Sequence, residues 1–414
     1  MTACAPQAWD QRMTERLEAR RAQSVYRQRH TLSSAQGREV IYQGQPYLNF
    51  ASNDYLGLAA DPRLMEAQRL AVKQWGVGAG SAHLVCGHQS PHEALEDALA
   101  TLTGRPAALL FSTGYMANLG VIQALTQRGD EVIQDRLNHA SLLDGAQLSG
   151  ARLKRYQHQD IASLSQHLSA PCKGLKLVVS DGVFSMDGDC ADIPALASQC
   201  QAHQALLMID DAHGLGVLGP RGGGLCQDYG LDTVPILVGT LGKALGTAGA
   251  FVAGSHALID YLTNFARTAI YTTAQPPAVA ATTLKAIELV QQEPERRQHL
   301  RQLIQYFREG AQALALPLLN SQTPIQPLAL SSSAQALDWQ AQLAQAGLWV
   351  GAIRPPTVPS PRLRITLTAA HQISDIDRLI NALAQCLNKQ CSNRQSEIEE
   401  SVITEPQTQA TSSC

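Results

Sequence analysis

The sequence predicts an α/β fold in which a large, mostly parallel sheet flanked by helices is joined to a smaller α+β C-terminal domain and an N-terminal arm. Three observations carry this. The 414 residues exceed what one hydrophobic core usually organises. Between Ser52 and about residue 280, short apolar runs bounded by turn residues alternate with helical periods, the pattern of strand–helix–strand units covered on both faces. Beyond that the pattern changes to long helix followed by a few short strands.

The arm spans residues 1–51. An Arg-rich helix is expected over 10–30, then two short strands, REVIYQG and QPYLNF, joined by a tight turn at Gly44. The large domain, 52–285, takes its strands from AALLF (107–111), EVIQD (131–135), LKLVVSD (175–181), ALLMIDD (205–211) and ILVGT (236–240). In the C-terminal domain, 286–391, one long helix over 281–316 precedes the strand IQPLAL, a helix over 334–346, the strands LWVGAI and RLRITLT, and a last helix ending near Asn388. The polar, Ser/Thr/Gln-rich stretch 392–414 lacks an apolar period and is expected to be a disordered tail.

Bulk chemistry excludes several classes. A net charge of −3 with interspersed signs leaves no basic stripe to displace counterions from nucleic acid. No segment is apolar for long enough to span a bilayer, and the first thirty residues hold no signal-like apolar run, so a cytoplasmic protein without membrane partners is expected. Nine scattered cysteines without CxxC spacing read as reduced thiols rather than metal ligands.

Lys243 is one of seven lysines and the sole formally charged residue between Asp232 and Asp260. Desolvation of an ammonium there lowers its pKa and favours the neutral amine that attacks an aldehyde, although the same setting suits a lysine reaching out from a core edge. Asp210 weighs for the first reading. It ends the apolar run ALLMI, where a doubly wound sheet presents its ligand crevice. A carboxylate at that depth needs a cation, and the protonated pyridine nitrogen of pyridoxal 5′-phosphate (PLP) is one. His213 lies on the same turn, within reach of the cofactor's phenolic oxygen. FSTGYMAN (111–118) runs from strand to helix start, where free backbone N–H groups hold phosphate. Gly214, Gly216 and Gly219 match GxGxxG, but Pro220 and Gly222–Gly224 forbid the helix that a dinucleotide site requires. DGDCAD (187–192) lacks the later ligands of a calcium loop.

Beyond these residues, the chain resembles the α-oxoamine synthases, PLP enzymes of the aspartate aminotransferase-like transferase fold. The resemblance covers residues 14–388 and rests on LNFASNDYLGL, WGVGAGSAHLVCG, HEALE, FSTGYMAN, DRLNHASLLDG, GVFSMDGD, IDDAHGLGVLG and GTLGKALGTAGA. It implies Lys243 as the Schiff-base lysine and Asp210 as the partner of the pyridine nitrogen, with His213 and Ser185 on the phenolic-oxygen side. It implies His139 stacked on the ring, Gly114 and Tyr115 where the backbone meets the cofactor, and Thr240 where a hydroxyl meets its phosphate. Thr272 and Thr273 would close that site from the neighbouring subunit of a homodimer. Ser81-Ala82-His83 departs from the arginine many members carry there.

Within the family, RPPTVPSPRLRITLTAAH (354–371) is similar to the biotin-pathway branch. That branch condenses L-alanine with a pimeloyl thioester, carried by coenzyme A or acyl carrier protein, to 8-amino-7-oxononanoate. The resemblance implies substrate contacts at Arg27 and Thr357, and a carboxylate held by Arg364 with Arg354 and Asn53, a task that suits arginine's planar fork. The alternative is a sister acyltransferase using glycine or serine with another acyl-CoA, such as a 2-amino-3-ketobutyrate CoA ligase. A metal site on Asp210, Asp211 and His213 is a more distant one.

Overall fold

The computed structural model describes residues 5–23 and 25–403. Its first helix is Ala5–Ala22, earlier than the expected 10–30. Val25 and Tyr26 are weak helix formers, and the chain beyond them is drawn out toward a bridge between Leu32 and Tyr42. The hairpin follows as β1 (Glu39–Tyr42) and β2 (Gln45–Asn49). Gln43 and Gly44 both have positive φ, 51° and 76°, as a two-residue turn matching strand twist requires.

Seven strands form the central sheet: β3 (Ala107–Phe111), β4 (Glu131–Asp135), β5 (Arg152–Tyr156), β6 (Lys176–Asp181), β7 (Leu206–Asp210), β8 (Ile236–Thr240) and β9 (Ala250–Gly254). Their order is β3-β9-β8-β7-β6-β4-β5. All pairs are parallel except those of β9, which runs antiparallel to both its neighbours. Alternate residues serve opposite faces: Val179, Met208 and Val238 pack into one apolar layer, Val178, Ile209 and Leu237 into the other. Burial on both faces stabilises each such side chain by about 1.5–3 kcal/mol, which is why these runs are continuous rather than alternating.

The single long helix expected over 281–316 is two, Pro277–Gln292 and Pro294–Ala313. Pro294 has no N–H to donate and is tolerated only where a new helix starts. LWVGAI also splits. β10 (Ile325–Ala329), β12 (Gly351–Ile353) and β13 (Arg362–Thr366) form an antiparallel sheet, while β11 (Leu348–Trp349) pairs parallel with β2 and ties the hairpin to the C-terminal part. The last helix runs Ile373–Ile403, so 392–403 are helical rather than disordered. Their Gln, Glu and Arg are adequate helix formers even without an apolar stripe. The rest of the expected tail, 404–414, lies outside the described residues.

β4, β6, β7 and β8 end on Asp135, Asp181, Asp210 and Thr240 respectively. The carboxyl edge of the sheet thus presents three acids and a hydroxyl side by side, at the position where open α/β sheets bind ligands.

Candidate active site

Lys243 follows β8 on a loop locked against the segment after β2. A Cβ on Gly246 (φ +67°) would lie 2.5 Å from Ala59 N, so only glycine lets the two stretches touch. That facing segment is a turn wound on Asp54, whose carboxylate accepts Leu58 N (2.9 Å) and Ala59 N (3.1 Å). The turn fixes Tyr55 in the core, and Tyr55 carries the first link of a chain. Lys243 Nζ lies 2.8 Å from His213 Nε2, His213 Nδ1 lies 2.5 Å from Tyr55 Oη, and Tyr55 donates to Asn53 Oδ1 (3.2 Å). Asn53 Oδ1 also accepts Arg364 Nη2 (3.2 Å). These contacts assign His213 the Nδ1–H tautomer: it accepts from the lysine and donates to the tyrosine. Burial pushes His213 well below the usual imidazole range, and burial pulls Lys243 down to about 8. A lysine whose N–H points at a neutral imidazole keeps its lone pair for chemistry.

Asp210 is buried, and among the described residues it makes no ion pair. Its oxygens accept Asn118 Nδ2 (2.6 Å) and Ala212 N (3.1 Å). The same Asn118 nitrogen reaches Ser141 Oγ (2.8 Å), so the Ser141 hydroxyl turns its proton to His139 Nδ1, 2.8 Å away. His139 therefore carries its proton on Nε2. Its backbone N–H donates to Asp181 Oδ2 (3.0 Å). On the other side, Thr113 caps the helix Gly114–Leu125 by accepting Met116 N (3.1 Å), leaving the N–H groups of Gly114 and Tyr115 without intrahelical acceptors.

Gly114, Tyr115, His139, Ser185, Asp210, His213, Thr240 and Lys243 line one cavity of about 210 Å³. His139 and Ser185 also border a wider one of about 950 Å³, which Arg27 and Thr357 line with Pro355, Pro356 and Val358. Arg27 Nη2 reaches Thr357 Oγ1 at 3.4 Å. Arg364 stands behind Ser185, donating to its carbonyl (2.7 Å), and Arg354 lies with Arg27 and Thr357 on a separate small cavity. Thr272 and Thr273 do not reach the first cavity within one chain. They belong to a stretch bridged to Ala82 at Thr273. Asp210 and His213 line the first cavity together, whereas Asp211 does not. Asp211 accepts Leu225 N (2.6 Å) beneath the glycine-rich turn, where a Cβ on Gly214 would lie 2.1 Å from its oxygen. The GxGxxG pattern thus wraps a carboxylate.

Residues 45–383 match the family model of aminotransferase class I and II. A curated 8-amino-7-oxononanoate synthase of Pseudomonas putida is 60% identical over 378 residues, 90% of this chain and 97% of the relative. The chain belongs to the 8-amino-7-oxononanoate synthase family. Among solved structures, that of 8-amino-7-oxononanoate synthase from Francisella tularensis superposes with a TM-score of 0.74 at 29% identity, covering 83% of this chain and 98% of the other. SPT with PLP gives 0.86 at 29% identity, covering 93% and 98%. As a member of this synthase family, the chain is a PLP-dependent acyltransferase of the aminotransferase class I and II fold.

The residues present fit that cofactor. A buried carboxylate without a protein cation, an amine of lowered pKa in the same cavity and two unpaired helix N–H groups are the complements of a pyridinium nitrogen, an aldehyde and a phosphate. Sequence reasoning missed Tyr55, Asn118, Ser141 and Asp181. Tyr55, Asn118 and Ser141 stand inside motifs singled out above, and Asp181 ends a strand as Asp210 does. A cluster of His83, His88 and His92 also stands near Thr273, but His92 accepts Gln89 N at Nδ1 and contacts Gln275 O through Nε2, which leaves it no free lone pair. No helix among the described residues is long and apolar enough to cross a membrane.

Proposed function

We propose that this chain catalyses the decarboxylative condensation of L-alanine with a pimeloyl thioester, releasing 8-amino-7-oxononanoate, CO2 and the free thiol, as a cytoplasmic homodimer in biotin synthesis. The observation that carries the reading is the meeting of the two cavities at His139 and Ser185: a small one suited to cofactor and amino acid adjoins a wider one, lined by Leu143, Met186, Pro355 and Val358 together with Arg27 and Arg155, suited to an acyl thioester.

PLP, when bound, supplies an electron sink for the carbanion formed at the alanine Cα. The protein's own groups do the rest. Lys243 would hold the cofactor through its aldehyde, and its amine, when free and neutral, would take the Cα proton as general base. His213, held by Tyr55, orients that amine through Nε2. Asp210 keeps the proton on the pyridine nitrogen, while Asn118 and Ala212 fix the carboxylate. His139, with its proton on Nε2, would pack against the cofactor in the smaller cavity and donate to a substrate carboxylate or thioester oxygen. Gly114, Tyr115 and Thr240 hold the phosphate with Thr272 and Thr273 of the neighbouring subunit. Exposed Val77, Val85 and Tyr271 beside that bridge support such an interface. Arg364, with Asn53, holds the alanine or product carboxylate, and Arg27 with Thr357 and Arg354 guides the acyl donor. On this reading residues 52–285 carry the cofactor, while 1–51 and 286–391 supply most substrate contacts.

Mass spectrometry of products from L-alanine and pimeloyl-CoA tests the reading. The decarboxylated aminoketone is expected. Product from glycine or serine instead would move the chain to a sister activity.

A further inference from the structure

Asp181 and Asp210 are register partners at the ends of β6 and β7, both buried, and each lines the smaller cavity. Two carboxylates at adjacent strand ends do not both ionise without a compensating cation. The hydrogen bonds are unequal. Asp210 receives two donors, Asn118 Nδ2 and Ala212 N, whereas Asp181 receives His139 N alone. Among the described residues neither forms an ion pair. The charged or titratable groups around them are Lys243, His139, His213, Tyr115, Asp135 and Asp211, with Arg364 behind Lys243, and within the cavity lining Lys243 is the amine whose charge opposes theirs. Asp135 is already engaged with His158 (3.0 Å).

The position of Asp181 is fixed from outside the pair. Its backbone N–H donates to Asn138 Oδ1 (3.0 Å), and Asn138 Nδ2 returns a bond to Val179 O (2.8 Å). The loop after β4 is thereby stitched to the end of β6 immediately before His139, the first residue capping helix Ala140–Ser149.

We propose that Asp181 is a positioning residue: it anchors the backbone of His139 and carries the one proton of the Asp181–Asp210 pair, leaving Asp210 as the pair's single negative charge. This rests on the assignment of Asp210 to the pyridine nitrogen. Burial and the neighbouring Asp210 push Asp181 well above the usual carboxylate range, in keeping with the geometry. The role explains why an acid without a cation is tolerated beside the cofactor pocket. As a neutral carboxyl it still accepts His139 N–H, and it does not compete with Asp210 for the ring proton.

The test uses the holoenzyme. Asp181→Asn keeps an acceptor oxygen and the neutral state, so cofactor affinity and kcat are expected within about threefold of the parent, whereas Asp181→Ala loses the acceptor and lowers kcat by about tenfold or more with cofactor still bound. Difference infrared spectra of parent minus Asp181→Asn should show the C=O stretch of a protonated carboxyl. A missing carboxyl band, a more than tenfold loss of cofactor affinity in Asp181→Asn, or a fully active Asp181→Ala each overturns the inference. If the alanine variant does not fold, the asparagine variant and the infrared band decide. Failure of the parent protein to take up PLP at all would instead count against the reading of Asp210 and Lys243.

Discussion

Replacing Tyr55 by Phe removes one oxygen from the centre of the chain Lys243–His213–Tyr55–Asn53 without changing the packed ring. Tyr55 is fully buried, so no water takes the place of its hydroxyl at once. His213 Nδ1–H then lacks its acceptor, 2.5 Å away in the parent, and Asn53 Oδ1 keeps only Arg364. A buried group left unpaired costs roughly 1–3 kcal/mol, so with Asn53 still half satisfied the loss should be about 2–4 kcal/mol. For a chain of 414 residues, unfolding entropy near 2.1 cal/mol/K per residue converts this to a Tm lower by roughly 2–5 °C. The histidine's remedy has a kinetic signature. Moving its proton to Nε2 turns an acceptor for Lys243 into a donor, and one lost bond to the base should lower kcat about fivefold to tenfold. Thermal melts of the holoenzyme and steady-state kinetics with alanine and pimeloyl-CoA read both effects. An unchanged Tm together with kcat within twofold would refute the assigned direction of this chain.

Other consequences follow from the same site. In the apoenzyme, acylation of Lys243 should titrate with a midpoint of about 8 rather than the ordinary 10.5, because burial disfavours the ammonium; mass spectrometry of Lys243 labelled across pH checks this, and a midpoint above 10 would show an open, solvated amine. Asp210→Asn should still bind PLP but lose on the order of a hundredfold in kcat, since an amide does not hold the pyridinium proton electrostatically; near-normal turnover removes Asp210 from the role. Arg27→Ala should raise KM for the thioester severalfold with little change in KM for alanine, as Arg27 and its partner Thr357 both lie on the wider cavity. Equal changes in both would place Arg27 elsewhere.

What was legible in the sequence follows from how local its cause is. Strands β6, β7 and β8 are buried on both faces and announce themselves as continuous apolar runs; β5, reading RLKRY at the sheet edge, and β9, embedded among glycines, do not. Pro294 signals the break between two helices, yet periodicity on either side of it reads as one. Lys243, Asp210 and His213 were recognisable because each stands in a locally unusual setting. Tyr55, Asn118 and Asp181 act on partners 158, 92 and 42 residues away, so their roles exist only once the sheet brings the strand ends together.

The carboxyl edge of that sheet gathers Asp135, Asp181, Asp210 and Asp211, and the protein treats each differently. Burial pushes Asp211 up to about 8, against the backbone N–H groups of Leu225, Cys226 and Gly214, which hold it down. If Asp181 carries the pair's one proton, as proposed, the negative charge stays on Asp210. Asp135 is matched by a protein cation, His158, which contacts Asp135 through Nδ1 (3.0 Å) and Asp189 through Nε2 (2.8 Å). Burial lowers that imidazole, but the two carboxylates prevail and hold it up at about 10. His158 therefore clamps the end of β4 to the loop 182–192 that carries Ser185. A group raised in the folded state from 6.5 to about 10 contributes stability that is complete below pH 6.5 and is lost as pH rises through 10. The stability gap between the parent and His158→Gln should accordingly be widest near pH 6 and close by about pH 10. Denaturant melts at intervals across that range measure it directly. A gap that widens with pH would mean that the imidazole is neutral in the folded protein, and that Asp135 and Asp189 are held apart by something other than a shared cation.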